Sequence, residues 1–197
     1  MEDCAALVLA DYGKGVLSEG IAGELIQMAR LKTIPVIVDP QGSNYDKYMG
    51  AALITPNRKE LMDATGLPAA STKEIILAAA HLARRSGIEA VLATRSSDGM
   101  TLVRNADNHA HYPAEAKEVF DVSGAGDTVV ACVTTAMAAG LSMENAVALA
   151  NVAAGIVVGK VGTAVAYADD IIDSLHQQER ATGKAKILNL SSAQDKT

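Results

Sequence analysis

Two short, uninterrupted apolar runs with a helical pattern between them constrain this chain most. Ala5-Ala6-Leu7-Val8-Leu9 and Pro35-Val36-Ile37-Val38 read as strands buried on both faces, since no polar residue alternates with the apolar ones. Between them, Ser18 is the expected N-cap of a helix running to about Lys32, with Ile21, Leu25 and Met28 on one stripe. Such a βαβ unit predicts a parallel sheet covered by helices. Ser43 to Met49 is expected as a short helix or turn and Leu53-Ile54-Thr55 as a third strand. Ser71 and Glu74 form a capping box for a helix to Ser86 that Gly87 stops, with Ile75, Ala79 and Leu82 facing inward. Glu89 to Thr94 is a fourth strand, and Met100 to Arg104 returns from it as in a hairpin. Helices follow to about Ala139, from Ser142 through Val158, and from Asp169 to Gln177. The expected organisation is one α/β domain over residues 1–178, a mostly parallel sheet between helical layers, with a polar tail or linker over 179–197.

Composition narrows the function classes. The net charge of −6 without a long basic run argues against nucleic acid as the main partner. Two cysteines, Cys4 and Cys132, make no disulfide framework and no zinc spacing, which fits a reducing cytoplasm. No secretory n-region and h-region open the chain, and the apolar stretch from Ala146 to Gly159 is too short to span a bilayer.

The chemistry concentrates in Asp121-Val122-Ser123-Gly124-Ala125-Gly126-Asp127, just before a long apolar run. Without bulky side chains, the N–H groups of Gly124, Ala125 and Gly126 can close around an anion at a helix start. Asp127 then lies beside that anion. Amides that stabilise a moving phosphoryl group and a carboxylate that takes the proton of an attacking hydroxyl are the parts phosphoryl transfer needs. Against this stands a plain loop followed by an acid-rich helix start.

Other segments leave two readings each. Gly13-x-Gly15 after a strand, with Asp39 closing the next, imitates a dinucleotide fingerprint, but the third glycine is displaced: Ser18 occupies its place. Lys14 is either a phosphate contact or a solvated loop lysine. Asn57 and Glu60, three apart on one helical face, can hold a hydrated Mg²⁺ or form a capping box. His109 and His111 share a strand face, and without a third ligand a solvated strand is favoured over a metal pair. Asn151 is a buried amide that can bond the backbone or flank a base.

The segment from Asp121 to Asp127 resembles the C-terminal signature of the ribokinase-like (PfkB-type) carbohydrate kinases, commonly Asp-Thr-x-Gly-Ala-Gly-Asp, with Val122 replacing the threonine. The resemblance implies a ribokinase-like three-layer α/β/α fold, with Asp127 as catalytic base and Gly124, Ala125 and Gly126 as anion hole. It favours Asn57 and Glu60 as organisers of Mg²⁺, acting through water. It makes Thr94, Arg95, Gly99 and Asn151 nucleotide contacts, and it brings the Gly159–Thr163 loop near adenine or a monovalent cation. Asp11-Tyr12-Gly13-Lys14-Gly15, Val38-Asp39-Pro40-Gln41-Gly42 and Thr94-Arg95-Ser96-Ser97-Asp98-Gly99-Met100 look like the heptose-phosphate kinases of that family. This implies Asp11 and Lys14 at the substrate, and ATP-dependent phosphorylation of D-glycero-β-D-manno-heptose 7-phosphate at O1 for lipopolysaccharide precursors. It also implies a homodimer and a fused nucleotidyltransferase in a longer parent chain. Only the C-terminal two-thirds of the usual domain is matched; its Gly-Gly signature, much of its sugar site and its β lid have no counterpart here. A dinucleotide-dependent oxidoreductase and a catalytically incomplete nucleotide-binding fragment remain the alternatives.

Overall fold

The computed structural model describes residues 1, 3–18, 20–115, 120–162 and 164–182; Thr163 and the tail from 183 onward lie outside the described residues. Six strands form one sheet in sequence order: β1 (Leu7–Ala10), β2 (Val36–Asp39), β3 (Leu53–Ile54), β4 (Ala90–Thr94), β5 (Met100–Val103) and β6 (His109–Tyr112). The first four are parallel, and β5 and β6 return antiparallel.

Both faces of the sheet are covered, which is why its inner strands are apolar without alternation. On one face Val36, Val38, Ile54, Val91 and Ala93 pack against α1 (Ile21–Leu31), α2 (Arg58–Thr65) and α3 (Thr72–Ser86). On the other, Ile37, Leu53, Ala90 and Leu92 pack against α4 (Ala125–Ala138) and α5 (Met143–Val158). Alternate residues of one run thus feed two separate cores. The capping box of α3 and the inward Ile75, Ala79 and Leu82 are as expected, and Gly87 stops the helix at φ 62°. The last helix, α6, runs from Ala168 to Thr182, five residues beyond the expected Gln177.

Three expectations need correction. Ser18 does not cap α1: its hydroxyl donates to the Gly15 carbonyl at 2.5 Å, and left-handed Gly20 precedes the helix. The buried stripe of α1 is Ala22, Ile26 and Ala29, while Ile21 and Met28 are 42% and 51% exposed. Small residues at Ala22 and Ala29 let the helix sit close to the sheet; of the expected stripe, Leu25 packs half-buried against this core while Ile21 and Met28 turn outward. Strand β1 is not buried on both faces either. Among the described residues it pairs only with β2, and Val8 is 39% exposed.

A free edge beside exposed apolar residues favours strand-to-strand association. Val8→Lys is expected to lower the concentration-dependent mass of the chain in sedimentation velocity while its melting temperature holds. An unchanged mass profile would clear β1 of this role.

Candidate active site

Parallel pairing brings the C-terminal ends of β1 to β4 to one edge, so the residues after each strand meet there. Asp39 ends β2, Asn57 follows β3, and Thr94 ends β4, with Asn57 and Thr94 joined as a parallel bridge. The N-terminus of α4 arrives at the same edge. Gly124 stands left-handed at φ 78°, a conformation that favours glycine, and the helix begins at Ala125. The Ala125 N–H donates to the Val122 carbonyl at 3.3 Å. Those of Gly124, Gly126 and Asp127 have no partner among the described residues. A Cβ built on Gly126 meets open space. The exposed helix start therefore presents N–H donors and the positive end of the helix dipole together.

A cavity of about 400 Å³ opens beside this helix start, lined by Thr94, Gly99, Ala125, Gly126, Asn151 and Gly155 among others. Asn151 bonds the backbone, donating from Nδ2 to the Pro113 carbonyl at 2.7 Å, and it also lines the cavity. Gly99 has a backbone reason to be glycine. Its φ is 79°, and a Cβ there would sit 2.0 Å from the Tyr112 carbonyl oxygen. Thr94 and Gly99 are thus at the cavity wall, whereas Arg95 is turned inward. Arg95 is 6% exposed and donates to Thr101 Oγ1 at 3.1 Å, with His111 Nδ1 at 3.2 Å.

The two readings of Asn57 and Glu60 resolve locally into a capping box. Asn57 Oδ1 accepts from the Glu60 N–H at 2.9 Å, and Glu60 Oε2 accepts from the Asn57 N–H at 2.8 Å. Asp11 is similarly engaged. It is buried and accepts from Lys47 Nζ and Tyr48 Oη, each at 2.6 Å, and from the Gly13 N–H at 2.8 Å. Burial pushes the Asp11 carboxyl up, but these donors outweigh it and hold it below the ordinary range. Asp11 therefore anchors its loop, while Lys14 is exposed and has no partner among the described residues. The glycines of that loop do not open a helix: α1 begins at Ile21, well past Gly13 and Gly15, so the dinucleotide arrangement is absent.

Sequence reasoning passed over Asp39 as a member of this site. Burial first, and then the charges of Glu60 and Asp127, push its carboxyl from the ordinary 3.8 to about 6. Thr55 Oγ1 offers a long hydrogen bond to Asp39 Oδ1 at 3.4 Å. The charges of carboxylates on α2 and α4 are thus felt at the end of β2. The signal available in the sequence was an aspartate closing an otherwise apolar strand.

Because the folded chain holds the Asp39 proton more tightly than the unfolded chain, stability rises as pH falls from about 6 towards the ordinary value and is lost as pH climbs through about 6. Asp39→Asn should therefore raise the melting temperature near pH 8 and change it little at about pH 4. An equal gain at both would show that charge is not the cause.

Comparison with known proteins was consistent with this geometry. Residues 2–170 match the pfkB family carbohydrate kinase. The chain is 56% identical over 187 residues to the bifunctional protein HldE of Paramagnetospirillum magneticum, covering 95% of this chain and 38% of that protein. It is 52% identical to the HldE protein of Rhodospirillum rubrum, covering 96% and 38%. The chain thus spans about two fifths of these relatives' length. Among solved structures, Arabidopsis thaliana ribokinase complexed with ribose and ATP superposes with TM-score 0.75 at 23% identity, over 86% of this chain and 55% of that one. Escherichia coli phosphofructokinase-2 in complex with potassium gives 0.71 at 21% identity, over 86% and 56%.

Proposed function

The chain belongs to the pfkB family of carbohydrate kinases, and on that premise we propose that it carries the nucleotide and phosphoryl-transfer part of a kinase acting on D-glycero-β-D-manno-heptose 7-phosphate at O1. The observation that carries this reading is the α4 start, where unpartnered N–H groups, Asp127 and the adjoining cavity meet. The HldE relatives favour a heptose phosphate as acceptor and a fused nucleotidyltransferase in the longer protein.

In this reading the base of ATP enters the cavity beside Asn151 and Gly155, and its terminal phosphates lie at the α4 N-terminus. The O1 oxygen attacks the γ-phosphorus, and the bond to the β–γ bridging oxygen breaks with ADP leaving. Asp127 receives the O1 proton. In a loose transition state that proton moves late, so positioning and charge stabilisation do most of the catalysis. The Gly124 and Gly126 amides meet the charge on the transferred group. Asp39 and Glu60, with Asn57, would hold Mg²⁺ through water; no three acidic, His or Cys side chains among the described residues form a direct cage. When bound, the metal supplies charge neutralisation along the phosphates. The exposed Lys14 is free to meet the acceptor's phosphate.

A second reading is a nucleotide-binding chain that cannot turn over by itself. It is favoured by the match to only 55% of the ribokinase chain. Under it, residues 1–197 bind ATP but leave the acceptor and water exclusion incomplete.

Asp127→Asn keeps shape and removes the base. In the active enzyme it should lower kcat by roughly 10²–10⁴ while ATP affinity and melting temperature stay near wild type. Near-normal kcat in a folded variant would reduce Asp127 to a helix-start residue. Glu60→Gln should raise the Mg²⁺ concentration needed for half-maximal rate. Lost thermal stability with unchanged Mg²⁺ dependence would leave only the capping role.

A further inference from the structure

The turn after β4 carries an arrangement that the reaction above does not use. Ser96–Asp98 form one 3₁₀ turn between β4 and β5, with Ser96 in the left-handed region at φ 54°. Ser96 and Ser97 face the cavity. Asp98, next along the turn, points to the other side, where Arg58 NH2 bonds its Oδ2. Arg95 NH2 lies 3.7 Å from the same oxygen. One carboxylate therefore stands between two guanidinium groups. Arg58 is the first residue of α2, directly after Asn57, so the pair joins the cavity turn to the helix bearing Glu60.

An exposed ion pair ordinarily contributes little, and the Asp98 side chain is 52% exposed. Here the balance differs. Arg95 is 6% exposed, and Asp98 is its carboxylate partner among the described residues. The Nε atoms of Arg58 and Arg95 are both buried without a partner. Removing Asp98 leaves two like charges side by side, one of them desolvated, and the cheapest relief is for the turn to shift. Backbone bonds close the turn on itself, from the Arg95 N–H to the Gly99 carbonyl at 2.8 Å and from the Gly99 N–H to the Ser96 carbonyl at 3.0 Å, so the turn shifts as a unit and the Asp98 side chain sets where it sits against α2.

We infer that Asp98 is a positioning residue for the nucleotide: through Arg58 and Arg95 it fixes the Ser96–Ser97 turn against the cavity and keeps that turn in register with the start of α2. It acts on the pocket wall, not on the phosphates. The inference rests on the reading of this cavity as the nucleotide site.

The test measures binding of MgATP and of adenosine to the 197-residue chain by calorimetry, with melting temperatures alongside. Asp98→Asn should weaken both ligands by a similar factor, about tenfold. Arg58→Ala should weaken both to a like extent, and the double variant should be little worse than either single one, because both remove one interaction. Asp98→Glu, which keeps the charge, should recover most of the affinity. A loss confined to MgATP would make Arg58 a direct phosphate contact and overturn the inference. So would additive losses, unchanged affinities, or losses that follow the melting temperature across all variants. If the wild-type chain binds MgATP but transfers no phosphoryl group to a heptose phosphate, the second reading above holds for this chain and the inference stands or falls by the affinities. If it binds neither ligand, the nucleotide reading of the cavity and this inference fail together.

Discussion

Burial on both faces of the inner parallel strands is the constraint from which the rest follows. Val36 and Val38 enter one core and Ile37 the other, so β2 has no face left for a polar side chain. Polar groups are driven to the strand ends, and parallel pairing puts those ends on one edge. Asp11, Asp39, Asn57 and Thr94 are neighbours there for a topological reason before any chemical one. The N-terminus of α4, laid across the second face, brings its open N–H groups to the same edge.

This crowding has an electrostatic cost. Burial first, and then the like charges of Glu60 and Asp127, raise the Asp39 carboxyl to about 6. On the proposed reading, a divalent cation and a polyphosphate would relieve this cluster, the usual trade between stability and function. Asp11 shows the opposite solution: it is more buried by exposure, but Lys47, Tyr48 and the Gly13 N–H satisfy it completely enough to lower its pKa. Asp11 follows β1 and Asp39 ends the adjacent parallel β2, and their different partners shift the two carboxyls in opposite directions.

Asn57 and Glu60 show how one spacing serves two purposes. The capping box holds α2 in place with Glu60 near enough for its charge to act on Asp39, so the structural role and the proposed metal-binding one are not exclusive. Glu60 uses one carboxylate oxygen on the Asn57 N–H, and the other is available to a hydrated ion.

Local chemistry determined much of this protein. The unbroken apolar runs imply a doubly covered sheet, Ser71 with Glu74 and Gly87 bound α3, and Gly124-Ala125-Gly126-Asp127 marks a helix start. These features depend on neighbours within a few residues, so they are legible in order along the chain. Helix phase was not: Ile21 and Met28 match a buried stripe as well as Ala22 and Ala29 do, and only the sheet's distance chooses between them. Nor could the chain order reveal that β1 lies at an edge, that Arg95 turns inward to His111, or that Asp98 meets Arg58 across forty positions. Asp39 reads as the end of a strand until α2 and α4 bring Glu60 and Asp127 to it. Tertiary structure decided these points because each depends on charges and surfaces far apart in sequence, which only the packed sheet places within reach.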